Sequence, residues 1–206
     1  MEDVVCRRIS ENLMAKQSTK PDRVTLSAED WEREALELIA EKGVGALAVE
    51  PLAKRMGITK GSFYWHFPNR ESLLDLALQR WEEHDSRNLG QALGEINDPR
   101  TRLIEFFRRV SREQFTHDVY SALFCAADHP QVEPLLERVA DRRMNYLGTA
   151  YQQLGFDELE ARQRARLAYT AYMGFLQLQR QRQAPSFSSE EFDAYVDHVI
   201  ETLIPG

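Results

Sequence analysis

Only two cysteines, Cys6 and Cys125, occur in the 206 residues. They stand far apart without metal-like spacing, so idle thiols in a reducing compartment are expected, not a disulfide framework. Ten glycines and eight prolines are few, and runs of β-branched residues are missing, which argues against a sheet protein. No apolar run approaches the length of a bilayer span and no secretory signal is visible. A non-membrane, cytoplasmic chain is therefore expected. A basic balance is lacking as well: the net charge is −7, where a nucleic-acid footprint is usually positive. Neither a glycine-rich phosphate loop, nor a nucleophile elbow, nor zinc-ligand spacing occurs. No catalytic residue, cofactor or metal is expected on that ground.

What is present favours helices. Ala, Leu, Glu, Arg and Gln dominate, and 43% of residues are hydrophobic, a composition suited to an all-α protein. Residues 1–81 are nearly balanced in charge, and most of the acid surplus falls in residues 82–206. Screening over about 8–10 Å at cellular salt makes local charge decisive.

The locally basic stretch is Leu52 to Arg70, LAKRMGITKGSFYWHFPNR. It reads as two short helices joined by Gly57-Ile58-Thr59. Gly57 stands where the first helix must stop and the backbone turn through positive φ. Ala53 allows close crossing, and Leu52, Met56, Ile58 and Phe63 lock together two helices too short to stand alone. From Lys54 onward come Lys54, Arg55, Lys60, His66 and Arg70 with no carboxylate. Thr59 is a good N-cap for the second helix, which presents Ser62, Tyr64, Trp65 and His66 to phosphates and base edges. This is helix-turn-helix spacing, suited to the DNA major groove. Asn69 caps a following helix, with Arg70 in its first turn.

The run from Gly57 to Arg70, followed by Glu71-Ser72-Leu73-Leu74, resembles the signature of tetracycline-repressor-type (TetR) regulators, which extends from about Trp31 to Leu74. The resemblance implies a three-helix DNA-binding domain on a larger all-helical ligand-binding and dimerisation domain. By motif position the DNA contacts would fall on Lys60, Ser62, Tyr64, Trp65, His66 and Arg70, with Thr59 at the cap. Two positions depart from the pattern. Ala48 stands where the family commonly has a capping Thr or Ser, and Glu50 where some members place a base-reading cation.

Three segments are expected: an arm over 1–26, a DNA-binding domain over 27–74, and a helical remainder over 75–206, about nine helices in all. The arm's Arg7, Arg8, Lys20 and Arg23 are candidates for the minor groove, diluted by neighbouring acids. Ser27 to Asp30 caps a helix burying Trp31, Ala35, Leu38 and Ile39. The helix after Asn69 buries Leu73, Leu74, Ala77, Leu78 and Trp81 and leaves the DNA-binding domain, as a mechanical link. Later helices are marked by Leu103 to Val110, by Tyr120 to Phe124, and by about Gln131 to Gly155. Asp157 with Glu160 opens another, running to about Gln183. Ser188 and Glu191, flanked by Phe187 and Phe192, form a capping box with a hydrophobic staple.

The helix after Asp157 carries two apolar stripes. Ala161, Ala165, Ala168, Tyr172 and Phe175 suit the subunit's own core. Leu167, Ala171, Gly174 and Leu178 need a partner. With Tyr195 and Val199 of the last helix they predict a homodimer through a four-helix bundle, binding a palindromic double-stranded operator. The resemblance further implies a cavity for a small-molecule effector, drawn from Phe106, Phe107, His117, Tyr120, Phe124, Tyr146, Tyr169 and Tyr172, with Arg142 and Gln177 as further polar handles. The expected function is a repressor released by that effector. Two other classes stay open: a helical interaction scaffold, and an all-α enzyme or metal protein built on Glu113 and His117. Mobility shift on genomic fragments separates them.

Overall fold

The computed structural model describes residues 26–91, 96–183 and 187–204. The expectations for the 1–26 arm fall almost wholly outside them. Nine α-helices occur among the described residues, with no strand, as expected: α1 Ala28–Lys42, α2 Val49–Arg55, α3 Lys60–Phe63, α4 Arg70–Gln91, α5 Pro99–Arg112, α6 Gln114–Phe124, α7 Glu133–Gln153, α8 Glu158–Arg180 and α9 Ser189–Leu203.

Most helix starts follow from capping. The Ser27–Asp30 and Ser188–Glu191 boxes are both complete, and the Phe187 and Phe192 rings of the staple lie 6.3 Å apart. Asp98 and Asp157 cap α5 and α8 by accepting from backbone N–H groups three residues on. Each cap satisfies donors that a helix N-terminus leaves unpaired. Ala48 opens α2 with no side-chain bond at all. The helix survives because Leu52 and Ala53 are buried against its neighbours.

Two hydrophobic cores form. The first joins Trp31, Leu52, Phe63, Leu74 and Trp81 to Leu123 of α6, Val139 of α7 and Met173 of α8. It runs on through Leu73, Leu74, Ala77 and Leu78 without a break at residue 74. The second gathers Leu103, Leu147, Tyr151, Ala161, Ala165 and Leu203 from α5, α7, α8 and α9. Tyr169 packs against both.

Helix α4 ties the two ends of the molecule. It begins beside the α2–α3 corner and packs on α1, where Arg80 holds Glu32 at 2.6 Å. On its opposite side it faces α7. There Arg138 grips Glu82 at 2.7 and 3.3 Å, and Arg142 reaches both Glu82 and Asp85.

Candidate functional site

The α2–α3 corner is built from the inside. Gly57 adopts φ 69°, the left-handed region that other residues enter at a cost. The Ile58 N–H then returns to the Ala53 carbonyl at 3.0 Å and closes the turn. Phe63 and Phe67, both buried, anchor the second half, with Phe63 edge-on to Trp31 at 5.4 Å. Their immediate neighbours are forced outward: Tyr64, Trp65 and His66 are exposed, Trp65 by 88%. Lys60 and Thr59 are exposed beside them, and Ser62 is half-buried.

Three features of this corner differ from expectation. Helix α3 ends at Phe63, so Tyr64, Trp65 and His66 lie on the following turn, where the His66 N–H bonds the Phe63 carbonyl at 2.9 Å. The coming Pro68 disfavours further helix. Thr59 occupies the N-cap position, yet its side chain makes no capping bond. The cationic count also shrinks. Arg55 is held by Glu34 and by both oxygens of Glu41, at 2.6 and 2.7 Å, all from α1. The Arg55 hydrogen bonds keep the Glu41 carboxyl below its usual range. Arg70 donates through Nε to the Leu47 carbonyl at 2.6 Å and through Nη2 to that of Val44 at 3.1 Å. It thereby pins the connector between α1 and α2. Among the expected cations, Lys54, Arg55 and Lys60 stand exposed, Arg55 held by the α1 carboxylates.

A cavity of about 70 Å³ lies at the seam between the two cores. Of the expected lining, Phe106, Phe107, His117, Tyr169 and Tyr172 face it. The other three do not. Tyr120 is core, stacked on Trp81 at 5.5 Å with its hydroxyl 2.7 Å from that of Tyr169. Tyr146 packs behind Phe106 at 4.8 Å. Phe124, at the end of α6, is turned to solvent. Helical spacing marked all of them as aromatic faces but could not say which side of the seam each face would meet.

A buried ion pair in the lining was not anticipated. Arg143 and Asp85 expose 6% and 4% of their surface and meet at 2.7 Å. The Arg143 guanidinium lies 4.3 Å from the centre of the Tyr120 ring, and its Nη1 donates to the Tyr172 hydroxyl at 3.3 Å. A signal existed in the sequence: Arg143 falls between Val139 and Leu147 on the apolar stripe of α7, and Asp85 one turn past Trp81 on that of α4. A charge on a buried stripe needs a partner. His117 is buried next to them. Burial, aided by the Arg143 charge, pushes it down to about 4, so it is neutral near pH 7. Burial likewise raises the Tyr120 and Tyr172 phenols.

On α8 the two stripes separate as anticipated from their spacing. Ala161, Ala165 and Ala168 are buried, whereas Leu167, Ala171, Gly174 and Leu178 face outward, Leu167 by 59%. Within the protomer nothing lies within 4 Å of a Cβ built on Gly174. Of the last helix, Val199 is half-covered and Tyr195 already stacks on Phe175 and Phe187, each at 5.4 Å. Among the described residues no three His, Cys, Asp or Glu side chains are grouped to hold a metal. No helix there is long and apolar enough to cross a membrane.

The sequence profile of the bacterial regulatory proteins of the tetR family matches residues 33–77. The tetracycline repressor protein class A from transposon 1721 of Escherichia coli is 46% identical over 43 residues, 21% of this chain and 20% of that protein. The HTH-type transcriptional regulator AcrR of Shigella flexneri is 37% identical over 57 residues, 28% and 25% of the two chains. The chain thus matches only a fifth to a quarter of the length of these curated relatives. A TetR transcriptional regulator from Legionella pneumophila superposes with a TM-score of 0.72 at 16% identity, covering 89% of this chain and all of that one. FadR of Bacillus subtilis, in complex with stearoyl-CoA, gives 0.67 at 17% identity, over 87% and 99%. At these identities the structural likeness carries the fold.

Proposed function

Residues 33–77 place this chain in the TetR family through its DNA-binding domain, and from that premise we propose that it is a ligand-responsive repressor of transcription. It binds a palindromic operator in double-stranded DNA as a homodimer and releases it when a small molecule enters the seam cavity. The observation that carries this reading is the outward side of the corner. Lys60, Tyr64, Trp65 and His66 stand exposed together over the buried Phe63 and Phe67. A cation, a phenol, an indole N–H and an imidazole are groups suited to phosphates and base edges. With Thr59 and Ser62 they form the proposed contact set. Arg70 joins it only through Nη1, which the connector carbonyls leave over and which lies 3.7 Å from the Glu71 carboxylate.

The outward stripe Leu167, Ala171, Gly174 and Leu178 supports pairing of two protomers, with Val199 and the rim of Tyr195 beside it. Coupling follows from α4. The helix that starts at the corner brings Asp85 into the cavity wall. A ligand preferring a displaced α4 shifts the population away from DNA-competent spacing, by about 1–3 kcal/mol in a typical allosteric coupling. Such a regulator works in the cytoplasm, beside its DNA.

The test is selection of genomic fragments by the purified full chain, followed by footprinting. Protection of two symmetric half-sites about one helical turn apart is the expected result. Retention of every fragment alike, or of none, would overturn the reading and favour a helical interaction scaffold.

A further inference from the structure

We propose that the seam cavity, taken as the effector site of the preceding reading, is built for a neutral aromatic molecule carrying a hydrogen-bond donor, of the phenol class, with His117 Nε2 as the acceptor. Three observations converge on this chemistry. The first is charge. The lining holds Asp85 and Glu113 against Arg109 and Arg143, two of each sign. Within it, the Arg143 guanidinium is already engaged by Asp85 at 2.7 Å, by the Tyr172 hydroxyl at 3.3 Å and by the Tyr120 ring face. An anion drawn to Arg143 would pull it from a buried carboxylate, and a cation drawn to Asp85 would pull it from a buried guanidinium. Either leaves a buried charge short of its partner. Arg109, exposed, and Glu113, half-buried, carry charges that water screens.

The second observation is an unsatisfied atom. His117 exposes 6% of its surface, and its Nε2 has no hydrogen-bond partner. The Val110 backbone is an acceptor that favours a proton on this ring, and with Nε2 unpartnered the ring N–H is placed on Nδ1. A neutral imidazole donating from Nδ1 keeps a lone pair on Nε2. The vacancy thus calls for a donor, and an orphaned buried acceptor gains more from a partner than one already solvated. The Thr116 hydroxyl, also buried and unpartnered beside it, tolerates either a donor or an acceptor.

The third observation is shape. Rings of Phe106, Phe107, Tyr169 and Tyr172 form the walls. The cavity is adjoined by a second chamber of about 90 Å³ between α8 and α9, and Phe107, His117 and Tyr172 line both. Neither chamber alone reaches the roughly 150 Å³ of an apolar cavity that admits benzene, so the proposed ring spans both. A single substituted ring spanning both would place its hydroxyl at the shared His117.

The experiment titrates the full-length dimer, free and bound to its operator, with phenol, anisole, benzoate and benzylammonium. Binding is followed by calorimetry. Phenol is expected to bind about tenfold more tightly than anisole, the worth of one hydrogen bond to a buried acceptor, with both ions weaker still. In His117→Phe the preference for phenol over anisole is expected to vanish. Equal binding of phenol and anisole to the wild type, tighter binding of either ion, or a preference that survives in the variant each overturns the proposal. Should His117→Phe not fold, the wild-type ranking alone decides. DNA release is a separate readout. Phenol bound with the expected ranking but without release sinks the effector reading and leaves the site's chemistry standing. Release by benzoate or benzylammonium in preference to phenol does the reverse.

Discussion

Asp85 and Arg143 form a buried ion pair at 2.7 Å between the helix that leaves the α2–α3 corner and the helix behind the cavity. Its neighbours are aromatic: Trp81 stacks on Tyr120, Tyr120 faces the guanidinium, and Tyr172 closes the far side. Few positions in the molecule are less tolerant of losing one partner.

Removing one charge should therefore cost more than removing both. Asp85→Asn strands the guanidinium, and a loss of roughly 3–5 kcal/mol is expected. The double substitution Asp85→Asn with Arg143→Met should recover much of it. Urea melts of the three proteins check this; equal stability of the wild type and Asp85→Asn would remove the pair from the account.

The basic residues of the corner should fall into two kinds. Arg70→Ala deletes two bonds to the Leu47 and Val44 carbonyls, and a loss of about 1–3 kcal/mol in folding stability is expected. Lys60→Ala touches nothing internal. It should leave the melt unchanged while lowering the salt dependence of DNA binding by about one unit. A destabilised Lys60→Ala, or an undisturbed Arg70→Ala, would reverse the assignment.

Acid should destabilise the fold partly through His117. Unfolded, this ring titrates near its ordinary 6.5; folded, burial first and Arg143 second hold it at about 4. Below pH 6.5 the unfolded chain takes up a proton that the folded chain refuses. Stability is therefore full above that pH and falls as the pH drops toward 4, by at most about 1.4 kcal/mol per unit. In His117→Gln that part of the slope should disappear. A slope of the same sign should remain below about pH 4.5 from Glu82, whose carboxyl is held low by hydrogen bonds from Arg138, because stability present above that pH is lost as the carboxylate protonates. Chemical denaturation at several pH values compares the two proteins, and identical slopes would contradict the burial argument.

Pairing of protomers should depend on the outward stripe of α8. At Gly174 an added side chain meets no atom of its own protomer within 4 Å. Gly174→Glu is therefore expected to fold with a wild-type helical signal and to gain about 0.5–1 kcal/mol of helix propensity. It should sediment as a monomer where the wild type is a dimer at micromolar concentration. A dimeric variant would move the interface elsewhere.

Much of this architecture was legible one residue at a time. The capping boxes at Ser27 and Ser188, the turn at Gly57 and the apolar spacing of Trp31, Ala35, Leu38 and Ile39 act between chain neighbours, so a linear reading reaches them. The two stripes of α8 were separable for the same reason, since faces follow from the helical repeat. Nearest-neighbour chemistry could not tell where a long side chain ends. Arg55 crosses to Glu34 and Glu41, Arg70 to the carbonyls of Val44 and Leu47, and Arg143 to Asp85, 58 positions away. Those destinations arise only when helices pack, and for Asp85 and Arg143 the packing also buries the charges. Burial then penalises any charge left alone, so tertiary packing decided which cations face outward and which residues line the cavity.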